Sequence, residues 1–241
     1  DLAAAGRLDE AALAAGRTIA DFPADGRLAA LAGAIEFQRG QFDRALPLLK
    51  MAHGQFPGDL TVRGNLAETF YHQGAIAEAR ALCDADTLVM DKSNRLLKLA
   101  AFLAQEAGDS ELAERLYRRL VAIDPADWSS WNNLGNALSS LDRFTDAAEC
   151  LRLADRLAPD SAPIRINLAG TLASAGQPDE AIALLTEMAD RNQGDHTPLL
   201  SLFTIYRDLG REDEAYAAIR EAARRAPDDA DEIGRASCRE E

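Results

Sequence analysis

The chain has 241 residues, 47% of them hydrophobic but only 6% aromatic, which suits many small helix contacts better than one large core. Forty acidic residues against 26 basic ones give a formal charge of −14, a field that repels phosphate backbones and so excludes nucleic acid as the natural partner. No run approaches the roughly 18 to 20 apolar residues that cross a bilayer, and no basic start leads into an apolar signal segment.

Read from the N-terminus, the string GRLDEA at 6–11 opens a predicted helix that stops at Pro23, and the same pattern returns every 34 residues without an insertion. The later copies are GQFDRA at 40–45, GAIAEA at 74–79, GDSELA at 108–113, DRFTDA at 142–147, GQPDEA at 176–181 and GREDEA at 210–215. Ala11, Ala45, Ala79, Ala113, Ala147, Ala181 and Ala215 fill one slot in all seven. Twelve residues further on stand Pro23, Pro57, Asp91, Pro125, Pro159, Gln193 and Pro227, a helix stop in register. Between these landmarks the apolar residues keep helical spacing, as in Leu97, Ala100, Ala101 and Ala104, then Leu112, Ala113, Leu116, Tyr117 and Leu120.

Each unit is therefore two short amphipathic helices. The glycine opening the string supplies a left-handed turn, and Asp43, Asp179 or Asp213 follows near the start of the second helix, where negative charge is favoured. The repeated Ala allows the two helix axes of a pair to approach within about 8 to 10 Å. Asp142 replaces the turn glycine once, and Pro47 inside a second helix predicts a local kink.

The unit starting at Trp128 resembles the tetratricopeptide repeat, through Trp131, Leu134, Gly135, Leu138, Ala147, Leu151, Ala154 and Pro159. The resemblance implies an all-α fold, a right-handed α-solenoid of antiparallel helix pairs, similar to bacterial multi-repeat arrays. The expected organisation is a partial unit at 1–25, six units at 26–59, 60–93, 94–127, 128–161, 162–195 and 196–229, and a tail at 230–241. The tail resembles a translated sequencing adapter and is expected to be non-native; the acidic excess survives its removal. Arg63 and Arg165 depart from the family's preference for a large apolar residue at their slot.

In the resembled family the first helices line a concave groove that holds peptides. Projected onto this chain, that groove receives Asn65, Asn133 and Asn167 at one equivalent slot, with Asn132 and Asn136 beside Asn133. An amide both donates and accepts, so such a row could grip an extended peptide backbone, similar to the asparagine ladder of some family members. Leu99 interrupts the row between Asn65 and Asn133. The alternative, that these residues are merely solvated or bond to a neighbouring turn, stands beside it. Phe37, Tyr71 and Phe102, with Lys98 one turn before Phe102, form a second candidate patch, against which stands the reading that they are core. Trp131 is expected inside its helix pair. The carboxylate clamp of some relatives is not expected, because Phe102, Pro163 and Asn167 occupy slots that need other residues.

Catalytic and metal-binding patterns are missing: His53, His72 and His196 fall at unlike slots, Cys83 and Cys150 lie too far apart for a bridge, and no GxxxxGK or HExxH string occurs. The expectation is a non-catalytic scaffold without cofactor, whose partner is a neutral or basic protein or peptide segment. The alternative is the repeat arm of a larger bacterial enzyme, such as a sulfotransferase or glycosyltransferase. The sequence begins with Asp1 rather than Met. The cytoplasm is the expected compartment, with the periplasm open.

Overall fold

The computed structural model describes residues 6–84 and 94–226. The expected stops at Asp91 and Pro227, the first five residues and the tail lie outside the described residues. The chain divides into two compact bodies, residues 1–109 and 110–241, a division that falls inside the expected unit 94–127.

The N-terminal body contains α1 (Leu8–Asp21), α2 (Gly26–Gln38), α3 (Phe42–Gln55), α4 (Leu60–His72), α5 (Ile76–Ala81) and α6 (Arg95–Glu106). The C-terminal body contains α7 (Ser110–Ile123), α8 (Trp128–Ser139), α9 (Phe144–Leu157), α10 (Ala162–Ser174), α11 (Pro178–Arg191), α12 (Thr197–Asp208) and α13 (Glu212–Arg225). Even-numbered helices are the first members of their pairs and odd-numbered helices the second. No strand occurs among the described residues. Within the C-terminal body each helix packs on the next, and α8 touches α10 as α10 touches α12, the contact scheme of an all-α helical-repeat solenoid. In the N-terminal body α2 likewise touches α4, and α4 touches α6.

The small-residue slot is closed off from solvent throughout. All seven repeated alanines are buried, five of them with no exposed surface. In two units the first helix adds a glycine at the crossing. A Cβ on Gly135 would lie 2.6 Å from Leu151 Cγ, and one on Gly33 would lie 2.8 Å from Leu49 Cγ. Leu49 and Leu151 fill the space those glycines leave, and both are fully buried. In the C-terminal body this packing extends into one continuous apolar cluster from Ala148 and Leu151 through Leu172 and Leu185 to Ile219 and Ala222.

The turn within each pair is built the same way each time. Gly40, Gly74, Gly108, Gly176 and Gly210 have φ between +69° and +76°, and Asp142 adopts +57° in its unit. The residue after each sends its N–H back to the last turn of the first helix: Gln41 to Glu36 O, Arg143 to Leu138 O, Gln177 to Leu172 O. These are Schellman closures, which satisfy carbonyls that the helix end would leave orphaned.

Three first helices, α2, α4 and α8, begin on side-chain caps. Asp25 accepts from the N–H groups of Arg27 and Leu28, Asp59 from those of Thr61 and Val62, and Asp127 from that of Ser129. Each such cap is worth about 1 kcal/mol. Pro47 does not end its helix: α3 is a single element from Phe42 to Gln55. It stands in the second turn, so only one early intrahelical bond is forgone.

Two substitutions test this construction. Ala147→Leu should lower stability by about 1–3 kcal/mol through overpacking; a thermal midpoint at or above the parent's would contradict the crossing scheme. Asp142→Gly should raise it by about 0.5–1 kcal/mol, because a left-handed backbone costs a residue with a Cβ more than it costs glycine; an unchanged or lower midpoint would contradict that.

Candidate functional site

Charge is distributed unevenly between the two helices of each pair in the C-terminal body. Second helices carry it: α9 has Asp146, Glu149, Arg152, Asp155 and Arg156, and α11 opens with Asp179 and Glu180. First helices carry almost none. In α8 there is no charged residue, in α10 only Arg165, and in α12 only Arg207 and Asp208 in its last turn. Arg165 is turned away: it donates to Glu187 at 2.9 Å and lies 3.8 Å from Asp155, both on second helices.

On the resulting uncharged wall, four of the expected asparagines stand together. Asn167 Nδ2 donates to Asn132 Oδ1 at 3.1 Å, and Asn132 Nδ2 donates to Asn133 Oδ1 at 3.1 Å, so three amides form one chain across two units. Asn132, not Asn133, makes the rung between first helices. The chain is open at both ends: Asn133 Nδ2 and Asn167 Oδ1 have no partner among the described residues. Reversing all three amides would exchange the ends and still leave a donor at one and an acceptor at the other. Asn136 lies one turn beyond Asn132 and is half-buried. A second bridge joins the same helices, Ser139 Oγ to Thr171 Oγ1 at 3.0 Å.

Asn65 is placed elsewhere. It lies in the N-terminal body, is 6% exposed, and its Oδ1 accepts from Arg95 Nη1 at 2.7 Å. Arg95 also bonds Glu68 at 2.5 Å and stands over the Phe37 ring. The Asn65 amide oxygen is thus engaged within the body, unlike that of Asn167. The physical reason is its neighbour: an arginine opens the next first helix and reaches back to it.

The aromatic patch expected in the N-terminal body does assemble. Tyr71 and Phe102 meet edge to face at 5.2 Å between centroids, Tyr71 touches His72, His72 stacks on Phe42 at 4.2 Å, and Phe42 meets Phe37 at 5.8 Å. The rings are mutually occupied, which favours the packing reading. Phe37 leans on the core of Ala45, Leu49 and Leu66. Lys98 is exposed on α6. Beside the His72–Phe42 stack lies an open cleft of about 630 Å³, bordered by Gln41, Asp43 and Gln73.

The two arginines at the usually apolar slot are explained by the ends of second helices. Arg63 Nε donates to the Leu82 carbonyl at 2.8 Å and pairs with the Asp84 carboxylate. In both units the residue facing the slot from the preceding pair is also polar, His53 before Arg63 and Asp155 before Arg165. Burial pushes the Asp155 carboxyl above its ordinary range, opposed by the Arg165 cation. Burial also raises the Cys150 thiol to about 11, which keeps it protonated at neutral pH. Trp131 is half-buried and donates its Nε1–H to the Pro125 carbonyl, in the loop before its helix, at 2.9 Å. Trp128 is 45% exposed.

Two features escaped the sequence reading. The N-capping Asp25, Asp59 and Asp127 recur at one slot of the 34-residue period, where Asp195 also accepts from Thr197 N–H at 2.9 Å, so their period was a readable signal. The pairing of Arg95 with Asn65 left no such trace. Among the described residues no group of His, Cys, Asp or Glu could hold a metal ion, and no helix is long and apolar enough to cross a membrane.

Paired helices, a left-handed turn residue in each pair and a buried small residue at each crossing define a helical-repeat scaffold protein. A tetratricopeptide repeat family model matches residues 36–103, 148–201 and 172–236, more than half of the chain, and a second matches 1–59 and 99–162. The chain belongs to the tetratricopeptide repeat family, whose members serve as protein-interaction scaffolds. No curated protein sequence matches it. Among solved structures it is similar to MamA from Desulfovibrio magneticus RS-1, at 17% identity and a TM-score of 0.64 over 68% of this chain and 93% of that one. MamA of AMB-1 gives 19% and 0.63, over 70% and 93%. YrrB, described as a TPR protein with an unusual peptide-binding site, gives 18% and 0.62, over 75% and 93%. At such identities the likeness is one of fold.

His53 supplies a test of the polar slot. Its imidazole is held below its ordinary pKa, first by burial and then by the Arg63 cation, so the folded state binds fewer protons than the unfolded. The stability it contributes is complete above the ordinary value of about 6.5 and is lost as pH falls through that value towards the folded one. Between about pH 7.5 and 5.5 the thermal midpoint should therefore fall less in His53→Leu than in the parent; equal slopes would show that His53 is not the group responsible.

Proposed function

We propose that the chain is a non-catalytic scaffold that holds an extended protein segment against the wall of α8, α10 and α12. The observation that carries this reading is the open-ended amide chain Asn167–Asn132–Asn133. Half-buried amides that already bond one another are fixed in orientation, so little side-chain entropy is lost when their free ends meet a peptide C=O and N–H. A backbone in extended form presents such groups at intervals, whatever its side chains. The peptide-binding site ascribed to YrrB lends support by kinship of fold. The sequence reading allowed a neutral or basic partner; the lack of charge on the wall favours a neutral one, the acids being held on the second helices.

The test begins with a displayed library of random twelve-residue peptides selected on the intact chain, followed by titration of synthetic copies. Replacing Asn132 and Asn167 together by Ala removes the Asn167 end and the link that orients the Asn133 end, so two peptide hydrogen bonds of about 1 kcal/mol each are lost or weakened and affinity should fall by about tenfold. The thermal midpoint should move little, because both side chains are partly exposed. Peptides that bind the double variant as tightly as the parent would overturn the proposal, as would failure of the selection to enrich any peptide.

A further inference from the structure

Three helical glycines have nothing within 4 Å of the position that a Cβ would take: Gly16 in α1, Gly54 in the last turn of α3, and Gly170 in the interior of α10. A glycine inside a helix weakens it relative to alanine, so its presence calls for a reason. Close packing is the reason at Gly33 and Gly135, where a methyl would strike a buried leucine. It is not the reason at Gly170, which is exposed.

The surroundings of Gly170 differ from those of the other two. It stands one turn beyond Asn167 and beside Thr171, the two α10 residues that bridge to α8. On α8, Asn136 occupies the corresponding interval between Asn132 and Ser139. Gly170 and Asn136 thus lie between two cross-helix hydrogen bonds, on a stretch of wall bearing amides, hydroxyls and small side chains. There are no charged residues on α8, and the single one on α10 is committed to Glu187 and Asp155. Bare helix backbone at such a place lets a second backbone come to van der Waals contact, where any side chain would hold it off.

We infer that Gly170 is the point of closest approach for the bound segment, and that the residues of that segment lying over α8 and α10 are uncharged. The inference rests on the proposed binding wall and adds to it the path of the ligand and its chemical class. A charged side chain there would meet no counter-ion, so such segments are disfavoured, while amide, hydroxyl and small apolar side chains match the wall.

The intact chain and the selected peptides provide the test. Gly16→Ala, Gly54→Ala and Gly170→Ala should each leave the thermal midpoint level or higher, through better helix propensity. Only Gly170→Ala should weaken peptide binding, by about fivefold or more, and Gly170→Gln should weaken it further. Affinity should change by less than about twofold between about 50 and 500 mM salt, and the selected peptides should be poor in Lys, Arg, Asp and Glu at the conserved core of their consensus. If Gly170→Ala and Gly170→Gln bind like the parent while the Asn132/Asn167 variant has lost affinity, the path is wrong and the wall stands. If the asparagine variant binds like the parent, both fall. A steep salt dependence or a consensus rich in basic residues overturns the uncharged class.

Discussion

The structure depends on how closely two helices can cross when one of them offers only a methyl group. At each of the five crossings within the two bodies the second helix presents a buried alanine, and at two of them the first helix presents no side chain at all. Dispersion falls steeply with separation, so a gap of even one methyl group would forfeit much of the contact that holds such short helices. Helices of 12 to 14 residues are marginal alone, and α8, α9, α10 and α11 are all of that length. Tight pairing within a unit, then stacking between units, is what makes them permanent.

That constraint also sorts the charges. The first helix α10 is flanked by its own partner and by α8 and α12, which leaves it a narrow strip of surface. A second helix keeps a wider exposed face, where solvated carboxylates cost nothing. Acids accumulate on α9, α11 and α13, and many meet arginines locally, as Asp146 meets Arg143 and Glu221 meets Arg224. In the C-terminal body the helical carboxylates therefore lie almost wholly on second helices, with further acids in the loops between pairs. On the strip left to the first helices, polar groups must satisfy one another at short range, and neutral amides and hydroxyls can do so without counter-ions.

The fold was legible because its causes repeat. A turn glycine, a buried alanine and a proline stop each recur at one interval, and seven copies turn a weak local preference into a register; even Asp142 was identifiable as a residue forced into a glycine's backbone. The candidate site was legible only in part. Slot equivalence found Asn133 and Asn167, but a slot does not state which neighbour a side chain will choose. Asn65 shares their slot and was lost to Arg95, since an arginine was available at the start of the following helix. Asn132, beside that slot, makes the rung because its helical angle points it towards α10. Side-chain direction on a helix follows from the turn N-terminal to the residue, which periodicity alone does not convey.

The amide chain and the exposed glycine have one feature in common that separates them from the rest of the wall. Several other departures from good local chemistry in the C-terminal body are compensated in place: Arg165 donates to Glu187, Asp142 has its Schellman closure, Gly135 has Leu151. A helix that lacks a side chain where alanine would fit, and an amide chain that stops with a donor and an acceptor unused, have no such compensation within the chain. Exceptions that nothing within a chain compensates are characteristic of places that something outside the chain completes. The two exceptions stand one helical turn apart on α10, which is why a single extended segment can account for both.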